Sequence, residues 1–484
     1  MKKKKKSNIK AKRALLLVLA VIVILTIFVI KGCVGRGKTV TITGGALEYT
    51  IGKDTYSFST QPIICGFPET DEQDCYFPVS DILATYEYTV SINSRTDEVT
   101  ASNEKNTVFM SVDSNKIKDK KNEYTFKLPF IKWAGKLYIS REMMSYFTKD
   151  KFEFTGEYKY VEYPHRDLMK DTYIDDTYRL DGEVTTYNNV SVVDGKAMEV
   201  LGMPDSNCTS YAKVINSLAD ALPDVQVYNI VVPSMTELYG PEKLYKDQIS
   251  GIRKIYENLD EKVMPVNVVK EMWPHANEHL YFSTDHHWTQ RGAYYAYRAF
   301  IALKSDEIAD IDEFEQDNVE GFVGSWKRFM NGTPGADIMD NNPEELERFL
   351  PMVEYTGEVY LDMNLTEKWK DCEVIDLGID QYTTFLGGDM PIIKFKTDVK
   401  NGEKLVIIKE SFGNAFSTWA INNYEEVYII DPRQWNGFNP SSDRGEFNLK
   451  TFYSEVCQFD DLIVISYPGS TSQGMCRAIS NLVH

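Results

Sequence analysis

The chain has 484 residues and a formal net charge of −19 at pH 7. Its first 38 residues carry eleven Lys and Arg side chains and no Asp or Glu, so the residues after them carry a net charge of −30. A surface this acidic excludes nucleic-acid binding, which needs a basic footprint, and does not favour lying flat on an anionic membrane leaflet.

An apolar segment, 14–30, follows a basic tail, 1–13. The segment reads ALLLVLAVIVILTIFVI without a charge, which is near the lower length limit for a membrane-spanning helix. Eight Lys and Arg precede it and three follow it, so the positive-inside rule predicts a single-pass anchor in the cell membrane with a cytoplasmic N-terminus and an extracytoplasmic bulk. A cleaved signal peptide and a lipoprotein site at Cys33 are the alternatives, but no small-x-small cleavage site is visible and Lys31 follows the segment directly.

The next region, 39–156, is predicted to be a β-rich domain, because short alternating runs such as YTIGKDTYSFS and EYTFKL are broken by Gly, Asn and Asp clusters. Its segments QPII and FPVSDIL are echoed by LPFI and LYISREM, and each half predicts two strands and a short helix beginning at a Ser cap, Ser80 or Ser140. This pattern resembles the duplicated stalk domain named after the N-terminal domain of copper amine oxidases. The resemblance implies no copper, and 39–156 contains no His to bind it.

Besides Cys33, the chain has six cysteines, and they show no zinc-binding spacing. Cys65 and Cys75 are close enough in sequence to form a local disulfide in an oxidising compartment. Burial of all six as small core residues is an equally good interpretation.

About 445 residues after the anchor are too many for one core, so a second domain is expected. A charged, Tyr-rich linker is predicted at 157–185, and an α/β domain at 186–484. In the latter, apolar runs such as VQVYNIVVP, KLVIIKE, EVYIID and DLIVISYP alternate with helical stretches, which predicts a three-layer fold with a mainly parallel sheet. Active sites in such sheets lie at the carboxyl ends of the strands.

Two histidine motifs are candidates for chemistry. His275-Ala-Asn-Glu278-His279 has the H-x-x-E-H spacing of a zinc site, but Pro274 limits any helix to a turn or two, which favours a polar connection. Asp285-His286-His287-Trp288 matches the label of a D-H-H metal phosphoesterase superfamily, whose further Asp-rich motifs we do not find. We favour an Asp-x-His pair, in which Asp285 holds one ring nitrogen of His287 and leaves the other as a general base, with Thr289 capping the next helix.

A serine follows the strand LVIIK in the segment Glu410-Ser411-Phe412-Gly413-Asn414. A strand, a sharp turn and a helix present a nucleophilic serine, and the helix N-terminus offers N–H groups to an oxyanion. Alternatively, Ser411 only caps the helix FGNAFSTWAINNY.

These residues carry a resemblance to the bacterial DHHW protein family. The matching segments are TDHHWTQRGAYYAY, VVPSMTELY, QISGIRKIYENL, GFVGSW and KESFGNAF leading to YIIDPRQW. Through that family, the domain resembles the SGNH-hydrolase-like proteins that O-acetylate exported polysaccharides, such as the alginate acetylation proteins. In these relatives an Asp-x-His-Trp element precedes the Ser element, and this chain has the same order.

The resemblance implies that Ser411 is the nucleophile, His287 the base and Asp285 its orienting acid. For the oxyanion we expect the Ser411 N–H, with Asn414 or Arg433 as side-chain candidates. Relatives commonly carry Asp before the Ser, whereas this chain has Glu410, and the ordinary SGNH glycine and asparagine blocks are not identifiable.

The sequence thus predicts acetyl transfer to, or removal from, a cell-surface glycan, with no cofactor and no metal. The resemblance implies a membrane-bound O-acyltransferase as the acetyl donor. The alternatives are a non-catalytic glycan-binding surface protein, which an aromatic content of 13% would equally suit, and a metallohydrolase that uses the H-x-x-E-H motif.

Overall fold

The computed structural model describes residues 38–483, with gaps at 68–69, 94–97, 134–135, 164–167, 170–171 and 306–307. The predicted tail and anchor, 1–13 and 14–30, lie outside the described residues. None of the helices in these ranges combines the length and the apolar character that a bilayer span requires. The chain divides into two compact units between residues 165 and 166.

The N-terminal unit is built of short strands in three sheets, which confirms its predicted β-rich character. Its described elements are β1 (Thr39–Thr43), β2 (Glu48–Ile51), β3 (Asp54–Ser57), β4 (Ile63–Phe67), β5 (Glu72–Pro78), α1 (Val79–Ala84), β6 (Thr89–Asn93), β7 (Glu98–Ser102), β8 (Thr107–Ser111), β9 (Lys116–Asp119), β10 (Glu123–Thr125), β11 (Ile131–Trp133), β12 (Lys136–Ser140), α2 (Arg141–Met144), β13 (Lys151–Thr155) and β14 (Lys159–Glu162). The strand orders are β13-β1-β2-β3, β10-β9-β8-β7-β6 and β11-β12-β5-β4-β14. Alternate residues of β7 and β8 are buried, as the period of a strand requires. Strand β14 extends this unit beyond residue 156, where we predicted the domain to end.

The two echoed halves of this unit each form two strands and a short helix, and they meet where β12 pairs antiparallel with β5. The second helix begins at its predicted cap, because the Ser140 hydroxyl accepts a hydrogen bond from the Met143 N–H at 3.1 Å. The first does not, because Pro78 takes the N-cap position and Ser80 therefore lies inside the first turn.

All six cysteines in the described part of the chain are free and buried, so the suggested Cys65–Cys75 disulfide is absent. Cys65 pairs with Asp74 across β4 and β5, which places Cys75 on the opposite face of the sheet. The two thiols consequently belong to different apolar clusters.

The C-terminal unit has an eight-stranded sheet covered by helices. The strands of the whole unit are β15 (Thr185–Tyr187), β16 (Val190–Val193), β17 (Lys196–Met198), β18 (Gln226–Val231), β19 (Val263–Val266), β20 (Val319–Phe322), β21 (Glu344–Leu346), β22 (Tyr355–Tyr360), β23 (Lys368–Asp371), β24 (Ile392–Thr397), β25 (Lys404–Ile408), β26 (Glu426–Ile430) and β27 (Asp461–Ser466). Its helices are α3 (Asp205–Ala221), α4 (Met235–Tyr239), α5 (Gln248–Glu257), α6 (Val268–Met272), α7 (Gln290–Ile301), α8 (Ser325–Phe329), α9 (Pro334–Asp340), α10 (Phe412–Ala420), α11 (Leu449–Thr451) and α12 (Gln473–Ser480).

The main sheet is mixed rather than mainly parallel throughout. Its order is β19-β18-β27-β25-β26-β24-β22-β23, in which the first five strands are parallel and the last three add antiparallel neighbours. Parallel neighbours need a long crossover, usually a helix. Between β22 and β24 the chain forms only β23 and a single 3₁₀ turn, Tyr382–Thr384, so these strands pair antiparallel.

The parallel strands are buried along most of their length, as their continuous apolar runs predict. Helices α3, α5 and α12 pack together against this sheet, and helices α6, α7 and α10 form a second group. Ser234, Ser411 and Tyr467 follow the carboxyl ends of the adjacent strands β18, β25 and β27, which brings three loops to one edge of the sheet.

Candidate active site

The segment 280–289 folds back on itself just before helix α7. Tyr281 and Trp288 form an isolated antiparallel bridge, and the Phe282 N–H donates to the His287 carbonyl at 3.3 Å. The Thr289 hydroxyl accepts from the Gly292 N–H at 3.0 Å, which is the predicted helix cap. The tight loop between the bridged residues holds Asp285 and His287.

The partly buried carboxylate of Glu344 holds this loop in place. One oxygen of Glu344 accepts the Thr284 N–H and the other accepts the Ser283 N–H, both at 2.7 Å. His279 also contacts Glu344, with 3.0 Å between its Nε2 and Oε2. The second histidine of the H-x-x-E-H motif therefore supports the loop that carries Asp285.

Asp285 is 3% exposed, and both of its oxygens are used. Oδ1 lies 2.6 Å from His287 Nδ1 and accepts the His287 N–H at 3.0 Å, while Oδ2 accepts the Ser325 N–H at 2.7 Å. Burial works against ionisation, but the His287 and His286 rings and the Ser325 N–H hold the pKa of Asp285 well below its usual range. An ionised carboxylate only accepts, so His287 Nδ1 must carry its proton.

The other nitrogen of the same ring faces the predicted nucleophile. His287 Nε2 lies 2.8 Å from Ser411 Oγ, and in the neutral ring this nitrogen accepts the hydroxyl proton. The Tyr382 ring stacks parallel to the His287 ring at 3.7 Å, and its hydroxyl donates to the Ser411 carbonyl at 2.9 Å. Tyr382 thus fixes both the base and the backbone of the serine.

Ser411 occupies the N-cap position of helix α10, but its side chain makes no capping hydrogen bond. Glu410 supplies the cap instead, since its Oε2 accepts the Phe412 N–H at 3.0 Å. The Ser411 hydroxyl lies 3.4 Å from the same oxygen, which is a longer contact than the one it makes with His287. Burial raises the pKa of Glu410, opposed by the Phe412 N–H and the Arg433 guanidinium.

The two remaining letters of the D-H-H-W sequence also have structural roles. Trp288 is fully buried, and its Nε1–H donates to the Phe412 carbonyl at 2.9 Å, which ties the histidine loop to the serine helix. His286 Nδ1 lies 2.9 Å from Ser325 Oγ, and burial together with the adjacent His287 lowers the pKa of His286 to about 3. His286 is therefore neutral near pH 7.

The predicted side-chain oxyanion donors lie beside this site but already have partners. Asn414 Nδ2 donates to Asp389 Oδ1 at 3.1 Å, and Arg433 contacts Asp389 at 2.7 Å and Asp431 at 2.6 Å. The fully buried Lys409 also pairs with Asp389, at 2.9 Å. Burial opposes ionisation of Asp389, but Lys409 and Arg433 hold its pKa well below the usual range. This charged network supports the turn that carries Ser411.

The H-x-x-E-H motif does not converge on one point. His275 Nδ1 lies 2.8 Å from Glu278 Oε1, and its ring stacks on Tyr295, whereas His279 contacts Glu344. The segment forms a 3₁₀ turn and a polar connection, which is the interpretation that Pro274 favoured over a zinc site.

Asp285, His286 and His287 are the one group of potential metal ligands that the described residues bring together, with ligand atoms within 4.8 Å of one another. The hydrogen bonds from Ser325 and His287 already satisfy both Asp285 oxygens, so a cation would have to displace them. The donor set fits a metal poorly.

Sequence reasoning did not find Tyr382, Ser325 or Glu344. Tyr382 lies in a 3₁₀ turn with no periodic signal. Ser325 belongs to the segment GFVGSW, whose glycine is a usable signal: a Cβ on Gly324 would lie 2.3 Å from Asp285 Cβ. Only glycine allows that close approach of the two loops.

Two family models match the chain. The DHHW protein model matches residues 165–430, more than half of the chain, and the copper amine oxidase N-terminal domain model matches residues 50–162. This chain belongs to the DHHW family. Both predicted resemblances are confirmed, and the D-H-H-W sequence of this member is Asp285 to Trp288.

Solved structures resemble part of the chain. A DHHW family protein from Eubacterium siraeum is 27% identical, with a TM-score of 0.54, and the match covers 63% of this chain and 99% of that one. PatB1 of Bacillus cereus with a sulfonyl adduct is 16% identical, with a TM-score of 0.48 and coverage of 60% and 97%. The O-acetyltransferase domain of Pseudomonas putida AlgJ is 11% identical, with a TM-score of 0.32 and coverage of 62% and 99%. No curated protein gave a significant match.

Proposed function

We propose that this DHHW protein transfers acetyl groups to, or removes them from, a cell-surface polysaccharide through Ser411, His287 and Asp285. The observation that carries the proposal is the continuous pair of short hydrogen bonds, 2.6 Å from Asp285 to His287 and 2.8 Å from His287 to Ser411. This is the arrangement by which a buried carboxylate and an imidazole activate a serine hydroxyl. The acetyl group and the glycan acceptor rest on the resemblance of the family to polysaccharide O-acetylating proteins.

In the first half-reaction, Ser411 Oγ attacks the carbonyl carbon of an acetyl ester and its proton passes to His287 Nε2. The tetrahedral intermediate then expels the leaving alcohol, which takes that proton, and acetyl-Ser411 remains. In the second half-reaction, a sugar hydroxyl or water attacks the acetyl carbon and gives its proton to His287. Departure of the acetyl group returns the proton to Ser411. Asp285 stays ionised throughout and stabilises the imidazolium.

We assign the developing oxyanion to the N-terminus of helix α10 as part of the proposal. The Ser411 N–H has no acceptor among the described residues, so it is the donor we assign. The side chains of Asn414 and Arg433 would first have to leave Asp389, which makes them weaker candidates.

The cellular setting is part of the proposal. The apolar segment 14–30 and the basic tail before it would hold the protein at the cell membrane with the site outside. An acetyl donor must then reach that side of the membrane, for which a membrane-bound O-acyltransferase is the partner that the resemblance implies.

The test is hydrolysis of p-nitrophenyl acetate by the full-length protein and by the Ser411→Ala variant. We expect turnover that the substitution abolishes. Ser472→Ala is the matched control, because Ser472 also occupies a helix N-cap position without a side-chain cap bond. Wild-type turnover no higher than that of Ser411→Ala would refute the proposal and favour a glycan-binding surface protein.

A further inference from the structure

A small cleft adjoins the catalytic loop. Its polar lining consists of Glu199, Ser234, Thr236, Asp285, His286 and Trp326. These residues come from the segment after strand β17, the start of helix α4, the D-H-H-W loop and helix α8. The cleft is therefore built by four separate segments, one of which carries Asp285 of the candidate site.

Two buried polar atoms in the lining lack hydrogen-bond partners among the described residues. They are Trp326 Nε1, which can only donate, and Glu199 Oε1. A buried polar atom without a partner costs free energy, so each such atom requires an explanation. Two such atoms in one cleft make it a candidate site for a hydrogen-bonding ligand.

A hydroxyl group matches this pair, because its oxygen accepts from the indole N–H while its proton is donated to the carboxylate. Burial and the nearby Glu410 raise the pKa of Glu199 to about 7, so near neutral pH its carboxyl is available both as an acceptor and as a donor.

An aromatic side chain at the same place favours a sugar as the owner of that hydroxyl. Phe329, at the end of helix α8, is 48% exposed. Its ring centroid lies 5.6 Å from that of Trp326 and 6.1 Å from that of His286. A half-exposed ring next to a polar cleft gives an apolar face for the C–H side of a pyranose, beside partners for its hydroxyl groups.

We propose that this cleft is an acceptor subsite: it binds one hydroxyl group of a pyranose between Trp326 Nε1 and Glu199 Oε1, while Phe329 stacks against the sugar ring. The bound sugar then presents a second hydroxyl to the acetyl group on Ser411. The subsite rests on the proposed function, since it names how the glycan acceptor is recognised.

The test measures binding without chemistry, in the full-length Ser411→Ala protein. Cellotetraose, chitotetraose and mannotetraose are titrated by saturation-transfer difference NMR. We expect at least one to bind, and Trp326→Phe, Glu199→Met and Phe329→Ala each to weaken it about tenfold or more, because each removes a hydrogen bond or the stacking face. Trp369→Phe is the matched control, since Trp369 is 53% exposed on edge strand β23 and should not alter binding.

Thermal unfolding of each variant shows that it is folded, and Phe329→Ala changes a half-exposed residue that the core does not need. Binding by none of the three sugars would overturn the subsite, as would equal affinity in all variants. Because the measurement uses a protein without Ser411, an inactive nucleophile would refute the proposed function and leave a positive binding result standing.

Discussion

Replacing Asp285 by Asn tests the chain of hydrogen bonds more sharply than removing the serine, because the side chain keeps its size and loses only its charge and one acceptor. In the native loop, Oδ1 accepts two N–H groups of His287 and Oδ2 accepts one from Ser325. An amide cannot accept at both positions. If its NH₂ group faces His287, Nδ1 must become the acceptor and the proton moves to Nε2, where it blocks the base.

The alternative rotamer of the introduced amide keeps the correct tautomer but turns the NH₂ group towards the Ser325 N–H, which leaves two donors facing each other in a buried site. Either way, the charge that stabilises the imidazolium is lost. At an effective dielectric constant of about 20, two unit charges about 4 Å apart interact by about 4 kcal/mol. That energy corresponds to a rate factor of about 10³, and the wrong tautomer adds to it.

The assay is kcat/KM for p-nitrophenyl acetate between pH 6 and 9, with circular dichroism to show that the variant is folded. We expect Asp285→Asn to lower kcat/KM about 10³-fold or more. Asp317→Asn is the control, because Asp317 forms an ion pair with Arg348 elsewhere in the same unit. A variant within tenfold of the wild-type rate would mean that Asp285 holds the loop and takes no part in catalysis.

Three further predictions follow from the same geometry. Tyr382→Phe should lower kcat/KM about tenfold at most, because it removes one hydrogen bond to the Ser411 carbonyl. Tyr382→Ala should lower kcat/KM further, because it also removes the ring stacked on His287. Equal kcat/KM values for the two variants would contradict the stacking role. Glu199→Gln should stabilise the protein at pH 8 and leave it nearly unchanged at pH 4. The reason is that a carboxyl whose pKa rises from 4.5 to about 7 on folding binds its proton more tightly in the folded state, so stability falls between those pH values, by at most about 3 kcal/mol. Thermal unfolding of the wild type and the variant at both pH values measures this. An equal change in Tm at pH 4 and pH 8 would refute it. EDTA should leave the rate of ester hydrolysis within about twofold of the rate of the untreated protein, because His275 and His279 have separate carboxylate partners. A loss of activity that zinc restores would contradict this.

The parts of the site that sequence could predict are those whose geometry is local. Asp285 and His287 are two residues apart, so a loop brings the carboxylate to Nδ1 without help from the rest of the fold. Ser411 follows an apolar strand and precedes a helix, and the carboxyl end of a parallel strand is where such folds place reactive groups. The fold class followed from the same apolar runs, and the error lay at strands β22–β24, whose sequences gave no sign of their direction.

The contacts that sequence could not predict are those between distant segments. His287 and Ser411 are 124 residues apart, and they meet only because the loop before helix α7 packs against the start of helix α10. Tyr382 and Glu199 approach the same point from segments without periodicity or motif. No short-range pattern encodes such contacts, because they depend on how the whole sheet is assembled.

Glu410 shows why the two interpretations of Ser411 could not be separated from sequence alone. A serine at a helix N-terminus normally satisfies an exposed N–H group, and a hydroxyl held in that orientation is poorly placed to donate to a histidine. Here the preceding residue accepts the Phe412 N–H at 3.0 Å, so helix α10 is capped without the serine hydroxyl. The chain has Glu where relatives commonly carry Asp, and the longer side chain still reaches that N–H. Glu410 therefore leaves the Ser411 hydroxyl free of the helix cap, which is the condition that a nucleophilic serine needs.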